Sequence, residues 1–137
     1  MIKPLAIDHL VLRTANYRAL IEFYCDVIGC TLERETAAEF GLTQLRAGDA
    51  LIDIVDVNGE LGRKGGVAPG KAGNNLDHFC LQIADVDEAE LIGWLKSHDV
   101  DCGEFVERYG AEGMGRSLYL SDIDGNTVEL RARLRRD

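Results

Sequence analysis

The sequence lacks any long hydrophobic run. No stretch approaches the roughly 20 consecutive apolar residues that a membrane-spanning helix requires. The first ten residues, MIKPLAIDHL, also lack the apolar core of a secretory signal peptide. Neither a membrane protein nor an exported precursor is therefore expected, and the predicted location is the cytoplasm.

Positive charge is scarce as well. The 137 residues include 15 lysines and arginines against 24 aspartates and glutamates, which gives a formal net charge of −9. Non-specific binding to nucleic acid needs a basic surface that releases counterions from the phosphates, and anionic lipid attracts basic segments. The composition therefore predicts neither a nucleic-acid partner nor a membrane partner.

Cysteine is sparse and scattered. The four cysteines, Cys25, Cys30, Cys80 and Cys102, include no CxxC pair. They are too few for a disulfide scaffold, and their spacing does not predict a structural zinc site. Most of them are predicted to be buried free thiols.

The residues that are present form a repeat. The segments IDHLVLRT (7–14) and LDHFCLQI (76–83) both place Asp-His inside an apolar, β-branched stretch. Segments 15–29 and 85–100, which follow them, carry apolar residues at helical spacing. Three strand-like runs follow each helix: CTLERE, GLTQLRAG and ALIDIVDV in the first half, and VDCGEFVER, SLYLSD and NTVELRARL in the second. The segments AGDA and DIDGN are typical of hairpin turns.

This order of elements predicts an α+β fold. It consists of two βαβββ modules that form one curved mixed sheet with the helices outside. In a single domain of 1–137, module one is predicted at 1–57, a glycine-rich linker or lid at 58–75, and module two at 76–137. Equivalent positions of the two modules are expected to face one cavity.

Histidine and carboxylate recur in corresponding strands. Besides His9 and His78, the last strand of each module carries an acidic residue inside an apolar run, Asp53 or Glu129. Burial of an unpaired charge is costly, and a divalent cation would offset that cost. We therefore predict one metal site formed by His9, Asp53, His78 and Glu129. Asp56 lies close to Asp53 in sequence, and the strand register decides between them.

Three further side chains, Arg13, Cys80 and Arg131, are predicted to line the cavity. Each lies two or four residues from a predicted ligand, on the same face of a strand. Two guanidinium groups favour an anionic substrate such as a carboxylate or phosphonate. The alternative for Arg131 is a solvent-facing start of the basic tail RARLRRD, and the alternative for Cys80 is a buried, inert thiol.

Four stretches resemble a known superfamily. DHLVLRT, EFYCDVIGC, LDHFCLQI and GRSLYLSDIDGNTVELR are similar to the vicinal oxygen chelate superfamily, which includes glyoxalase I, extradiol dioxygenases, fosfomycin-resistance proteins and bleomycin-resistance proteins. The last stretch resembles the family's DPDGNxxEL ending, with Ile123 where proline is usual. The resemblance covers nearly the whole chain and implies the glyoxalase/bleomycin resistance/dioxygenase fold, which hosts several chemistries.

Glyoxalase I resembles this chain at the most site positions. The resemblance implies that His9, Asp53, His78 and Glu129 are the ligands of one divalent ion (Ni, Co, Zn, Mn or Fe), with Asp53 one methylene shorter than the usual glutamate. It also implies that Arg13 contacts a glutathione moiety, and it leaves a thiol such as glutathione open as co-substrate. The implied reaction is that of a lyase or isomerase on a small, oxygenated and anionic substrate. The metal stabilises an enediolate while Glu129, or else Asp53, moves the proton.

Three alternatives remain open. An extradiol dioxygenase, or a fosfomycin-type thiol transferase or epoxide hydrolase, would bind its metal through His9, His78 and Glu129 alone. GMGRSLYL resembles the fosfomycin group, although Val11 stands where its thiol transferases usually have threonine. A bleomycin-resistance-like protein would sequester a ligand without metal. The resemblance also implies a homodimer, with the site formed within one chain or across two.

Overall fold

The computed structural model describes residues 1–134. The chain divides into two compact units, Met1–Gly73 and a second that begins at Asn74. Each unit contains strand, helix and three strands in that order, so the predicted repeat of βαβββ is confirmed. Within residues 1–134, no helix has the length and apolar character needed to span a bilayer.

The first unit contains one four-stranded sheet and one helix. Its elements are β1 (His9–Thr14), α1 (Tyr17–Asp26), β2 (Thr31–Glu35), β3 (Leu42–Ala47), β4 (Ala50–Asp56) and a 3-10 turn at Gly62–Gly65. The strand order is β1-β4-β3-β2, with β1 parallel to β4 and the other neighbours antiparallel. The helix α1 packs across β3 and β4, and its Leu20 and Tyr24 are fully buried.

The second unit repeats this topology. Its elements are β5 (Phe79–Ile83), α2 (Glu88–Ser97), β6 (Val106–Gly110), β7 (Gly113–Ser121) and β8 (Thr127–Ala132). The strand order is β5-β8-β7-β6, with β5 parallel to β8. Leu95, Leu118 and Val128 supply the centre of its core.

The two helices differ in how their N-termini are capped. Asn16 precedes α1 as predicted, but its side chain makes no capping hydrogen bond. The helix ends at Asp26, before the predicted stop Gly29, whose φ of +94° lies in the left-handed region. Asp87 caps α2 by accepting a hydrogen bond from the Glu90 backbone N–H, 3.0 Å away.

The predicted apolar stripe of α2 is only partly confirmed. Leu95 is buried, but Trp94 is 47% exposed. Its ring lies 4.3 Å from the ring of His98, at the surface after the last turn. Helical spacing identifies the residues that share one side of a helix, but it does not show how far the sheet reaches across that side.

The hairpin turns were predicted correctly, and one strand was not. AGDA joins β3 to β4, with Ala47 opposite Ala50. DIDGN joins β7 to β8, where Asp122 accepts hydrogen bonds from the backbone N–H groups of Asp124 and Asn126. VDCGEFVER was predicted as a strand from 100 to 108, but β6 covers 106–110. Cys102 forms only an isolated bridge with Leu120.

The prediction that most cysteines are buried is wrong. All four are free thiols, as expected, but only Cys30 is buried, and Cys80 is exposed. Burial raises the pKa of Cys30 to about 11 because a thiolate is poorly solvated there. Cys80 follows His78 by two residues, so its side chain lies on the same face of the sheet as the histidine.

Candidate functional site

The two sheets place the predicted ligands at equivalent positions. In each unit, the residue two positions after the histidine pairs in parallel register with the acidic residue of the last strand. These pairs are Val11 with Asp53 and Cys80 with Glu129. Paired residues on neighbouring strands point to the same face of a sheet. Each unit therefore brings one imidazole and one carboxylate to one sheet face, as the alternation of side chains predicts.

The strand register also shows which of the two aspartates, Asp53 or Asp56, lies on the face of the predicted ligands. Asp53 is 4% exposed and lies between the core residues Ile52 and Ile54, which point to the opposite face. Asp56 ends β4, and its side chain accepts a hydrogen bond from the Asn58 backbone N–H at 2.9 Å. Asp56 therefore stabilises a turn, and Asp53 is the acidic residue on the face of the predicted ligands.

Imidazole and carboxylate are in contact in the second unit. His78 Nε2 lies 3.2 Å from Glu129 Oε1, and the Glu129 side chain is only 8% exposed. The edge of the Tyr119 ring packs on His78, with centroids 5.1 Å apart. The Arg108 guanidinium covers the same ring at 4.3 Å. The result is a packed cluster in which two metal-binding atom types are adjacent.

The first unit holds its carboxylate differently. Gln44 Nε2 donates a hydrogen bond to Asp53 Oδ2 at 3.1 Å. The other oxygen, Oδ1, is buried and has no hydrogen-bond partner among residues 1–134. An acceptor left in this state costs about 1–3 kcal/mol. A cation bound at Oδ1 would remove that cost.

Both predicted histidine ligands are oriented by the preceding aspartate. His9 Nδ1 lies 2.7 Å from Asp8 Oδ1, and His78 Nδ1 lies 2.8 Å from Asp77 Oδ2. Because a carboxylate only accepts hydrogen bonds, Nδ1 is the donor in both pairs, and Nε2 is the ring nitrogen that remains for a metal ion. The hydrogen bond to Asp8 raises the pKa of His9, and the charge of Asp53 adds to that effect. The repeated Asp-His sequence was the available signal, although sequence analysis assigned the aspartates no role.

Arg13 is engaged by the segment that was predicted as a linker or lid. Nη1 donates to the Val67 carbonyl at 3.1 Å, while Nη2 donates to the carbonyls of Gly62 at 3.0 Å and Gly66 at 2.8 Å. A Cβ on Gly65 would lie 2.3 Å from Arg13 Nε, so the backbone approaches the guanidinium closely there. This arginine fastens residues 62–67 to β1, and its predicted role in substrate binding stays a prediction.

Arg131 is buried, which contradicts the solvent-facing alternative. It is only 4% exposed, and Nη2 donates to the carbonyls of Arg108 at 3.3 Å and Gly113 at 3.0 Å. The basic tail suggested exposure, but β8 continues through Ala132 and turns Arg131 inward. The tail residues 135–137 lie outside the described part of the chain.

Cys80 faces the same side of the sheet as Glu129. Although the residue as a whole is exposed, partial burial of its thiol, followed by the charge of Glu129, raises the pKa of Cys80 to about 11, and Arg131 opposes that shift. A thiol with such a pKa is a weak nucleophile at neutral pH. This agrees with an inert thiol, although an exposed one rather than the buried thiol considered above.

Gln44 and Tyr119 were missed by sequence analysis. They occupy equivalent positions on the third strand of each module, opposite Asp53 and Glu129 respectively. Neither residue stands out in its sequence segment. The signal is the cross-strand register, which becomes readable once the hairpin turns are placed.

The donor atoms fit a divalent metal ion. Each unit supplies one imidazole nitrogen and one carboxylate oxygen, the ligand types that suit Zn²⁺, Mn²⁺, Fe²⁺, Co²⁺ and Ni²⁺. The residues that the structure describes include no group of three or more His, Cys, Asp or Glu side chains placed to hold one ion, so the four-ligand set stays a prediction.

The chain matches a known family over most of its length. Residues 6–130 match the family model described as Glyoxalase/Bleomycin resistance protein/Dioxygenase superfamily. The chain belongs to this superfamily. The resemblance seen in the sequence motifs is thereby confirmed.

Individual superfamily relatives carry different activities in their names. The chain is 27% identical to a metallothiol transferase FosB of Staphylococcus haemolyticus over 126 residues, which cover 90% of this chain and 81% of the relative. It is 29% identical to a catechol-2,3-dioxygenase of Bacillus subtilis over 113 residues, which cover 82% of this chain but 36% of the dioxygenase. Among solved structures, an integron cassette protein of V. cholerae is 26% identical with a TM-score of 0.74, covering 96% of this chain and 98% of that one.

Proposed function

We propose that this superfamily member is a divalent-metal-dependent lyase or isomerase of the glyoxalase I type. Its ligands are His9, Asp53, His78 and Glu129, and its substrate is a small oxygenated molecule. The observation that carries the proposal is the buried Asp53 Oδ1, which has no hydrogen-bond partner among residues 1–134. A three-ligand site leaves that oxygen unexplained, whereas a four-ligand site uses it.

The second unit supports the same proposal. His78 Nε2 and Glu129 Oε1 are 3.2 Å apart, close enough for one ion to be bound by both. Asp77 holds the far side of the imidazole, so Nε2 is presented without rearrangement. When bound, the ion would act as a Lewis acid on the vicinal oxygens of the substrate.

Glu129 is the proposed proton carrier. Its carboxylate is buried and lies on the sheet face that carries His78. The Glu129 carboxylate would take a proton from a carbon next to a substrate oxygen and return it to the neighbouring carbon. Asp53 is the second choice for this role because Gln44 already holds one of its oxygens.

The anionic part of the proposed substrate has weaker structural support. Arg13 is the residue expected to contact a glutathione moiety, but three backbone carbonyls already accept its hydrogen bonds. An incoming anion would compete with those carbonyls and release residues 62–67. We therefore propose an anionic substrate and, as co-substrate, a thiol such as glutathione. The proposed reaction class rests on the carboxylates of Asp53 and Glu129 and does not depend on Arg13.

A thiol transferase is the second candidate. The 27% identity to the metallothiol transferase FosB extends over 90% of this chain. Such an enzyme would need only His9, His78 and Glu129, and Asp53 would then be a structural residue held by Gln44. The two candidates therefore differ in what they require of Asp53.

The deciding experiment compares the wild type with Asp53→Asn and His78→Ala. Protein purified without added metal is analysed for bound metal. It is then assayed for isomerisation of a 2-oxoaldehyde–glutathione adduct and for thiol addition to an epoxide phosphonate. Loss of metal and isomerisation in both variants supports the lyase. If Asp53→Asn retains metal and thiol addition, the transferase is supported. A wild type without metal contradicts both candidates.

We also propose a homodimer, as the resemblance implies; a location in the cytoplasm stays a prediction. Light scattering behind size-exclusion chromatography measures the mass directly, and a 15.1 kDa species would contradict the dimer.

A further inference from the structure

Arg131 is a buried charge in the second unit. It lies on β8 two residues after Glu129, so both side chains share one sheet face. Only 4% of the residue is exposed. A buried guanidinium is costly unless its surroundings satisfy it, so its partners indicate what it does.

The hairpin of β6 and β7 surrounds this guanidinium with backbone groups. Nη2 donates to the carbonyls of Arg108 and Gly113. A Cβ on Gly110 would lie 2.3 Å from Nη1, and a Cβ on Gly115 would lie 2.5 Å from Nη2. The two glycines therefore leave room that any larger residue would fill, and the position of the guanidinium is fixed by backbone rather than by solvent.

Glu129 lies between this fixed charge and the imidazole. Its Oε1 is 3.2 Å from His78 Nε2, and its Oε2 is 4.0 Å from Arg131 Nη1. The two carboxylate oxygens thus have different neighbours. The guanidinium favours the orientation in which Oε2 faces Arg131 and Oε1 faces His78.

We propose that Arg131 is a positioning residue that presents Glu129 Oε1 to the metal ion. This inference rests on the proposed function. It replaces the expected role of Arg131 in substrate binding, because two backbone carbonyls occupy Nη2, Nη1 faces Glu129, and only 4% of the residue is accessible. Arg131 acts through Glu129 and touches neither substrate nor metal.

A purely electrostatic effect would have the opposite sign. A positive charge near a bound cation repels it, so removal of Arg131 would then tighten metal binding. Positioning predicts weaker binding after removal. The direction of the change in metal affinity therefore separates the two effects.

The test measures Co²⁺ binding to the full chain by calorimetry and by the visible absorption of the bound ion. Arg131→Met is compared with Arg116→Met, which removes the same charge from an exposed pair with Glu88. We expect Arg131→Met to weaken Co²⁺ binding by roughly 10–100-fold, as is usual for groups that orient a ligand, and to alter the absorption spectrum. Arg131→Lys should recover part of the affinity, and Arg116→Met should bind as the wild type does.

Co²⁺ binding by Arg131→Met as tight as, or tighter than, binding by Arg116→Met overturns the positioning role while the proposed function stands. A wild type that binds no Co²⁺ overturns both. If Arg131→Met does not fold, Gly115→Ala replaces it, because the added Cβ displaces the guanidinium but keeps its charge. The same loss of affinity is expected there, and unchanged affinity overturns the proposal.

Discussion

His78 Nε2 lies 3.2 Å from Glu129 Oε1. The first unit differs at its carboxylate: Asp8 holds His9 just as Asp77 holds His78, but Asp53 is held by Gln44. The longer glutamate reaches its histidine, whereas the shorter aspartate keeps one oxygen buried and unpaired. Duplicated modules have thus given two versions of one imidazole–carboxylate arrangement, and the following predictions test what each version does.

The aspartates that precede the histidines should control metal affinity. Asp77→Asn removes the carboxylate that fixes the His78 ring, so Zn²⁺ binding should weaken by roughly 10–100-fold. Calorimetric titration measures the change. Asp99→Asn is the matched control, since it removes one charge at a position with φ of 57° that asparagine tolerates. Equal affinities of the two variants would show that Asp77 does not orient the ligand.

Metal should stabilise the wild type more than the Asp53→Asn variant. An ion that binds only the folded chain adds free energy of unfolding, about 2.7 kcal/mol at a concentration 100 times its Kd. Asparagine carries no charge at Oδ1, so the gain should shrink in the variant. Thermal unfolding with and without Zn²⁺ gives both values. The same rise in Tm for both proteins would exclude Asp53 as a ligand.

Gly65→Ala should loosen the segment that Arg13 holds. The new Cβ would lie 2.3 Å from Arg13 Nε, so the guanidinium must leave its three carbonyls. Trypsin should then cut more rapidly after Arg63 and Lys64, as mass spectrometry of native digests would show. Gly70→Ala is the control because its Cβ meets nothing within 4 Å. Identical cleavage rates would contradict the fastening role of Arg13.

Stability should fall at alkaline pH, in part because of Cys30. Its folded pKa is raised from 9.0 to about 11, so its contribution is complete below pH 9 and is lost as pH rises from 9 to 11. Between pH 8 and pH 10.5 this contribution amounts to at most about 2 kcal/mol. Urea unfolding at both values should show a smaller loss for Cys30→Ala. The same loss in the wild type and the variant would mean that the thiol does not titrate as described.

Much of the fold could be predicted from the sequence because its local signals agree. The Asp-His strands, the turn AGDA and the turn around Asp122 all appear where the residue patterns place them. The predicted boundary of β6 was wrong because the residues from Cys102 onward have strand-like composition, but the pairing there is limited to the isolated bridge between Cys102 and Leu120. Strand composition indicates a half-buried surface, whereas pairing depends on the whole sheet.

Only the part of the candidate site that depends on the alternation of side chains along a single strand could be predicted. That rule placed Asp53 and Glu129 on the sheet faces that carry His9 and His78, as the register shows. It gave no information about the third strand, where Gln44 and Tyr119 lie opposite them. It also gave no information about the surroundings of the Arg131 guanidinium, which depend on the glycines of the β6–β7 hairpin. Contacts between strands distant in sequence need the register, and the composition of one segment does not contain it.

The most direct test of the central claim is the metal content of the protein purified without added metal, measured by elemental analysis beside His78→Ala. The account predicts one divalent ion bound by the His9, Asp53, His78 and Glu129 set, and its loss in the variant. A wild-type protein that carries no metal and gains none on titration would contradict the account.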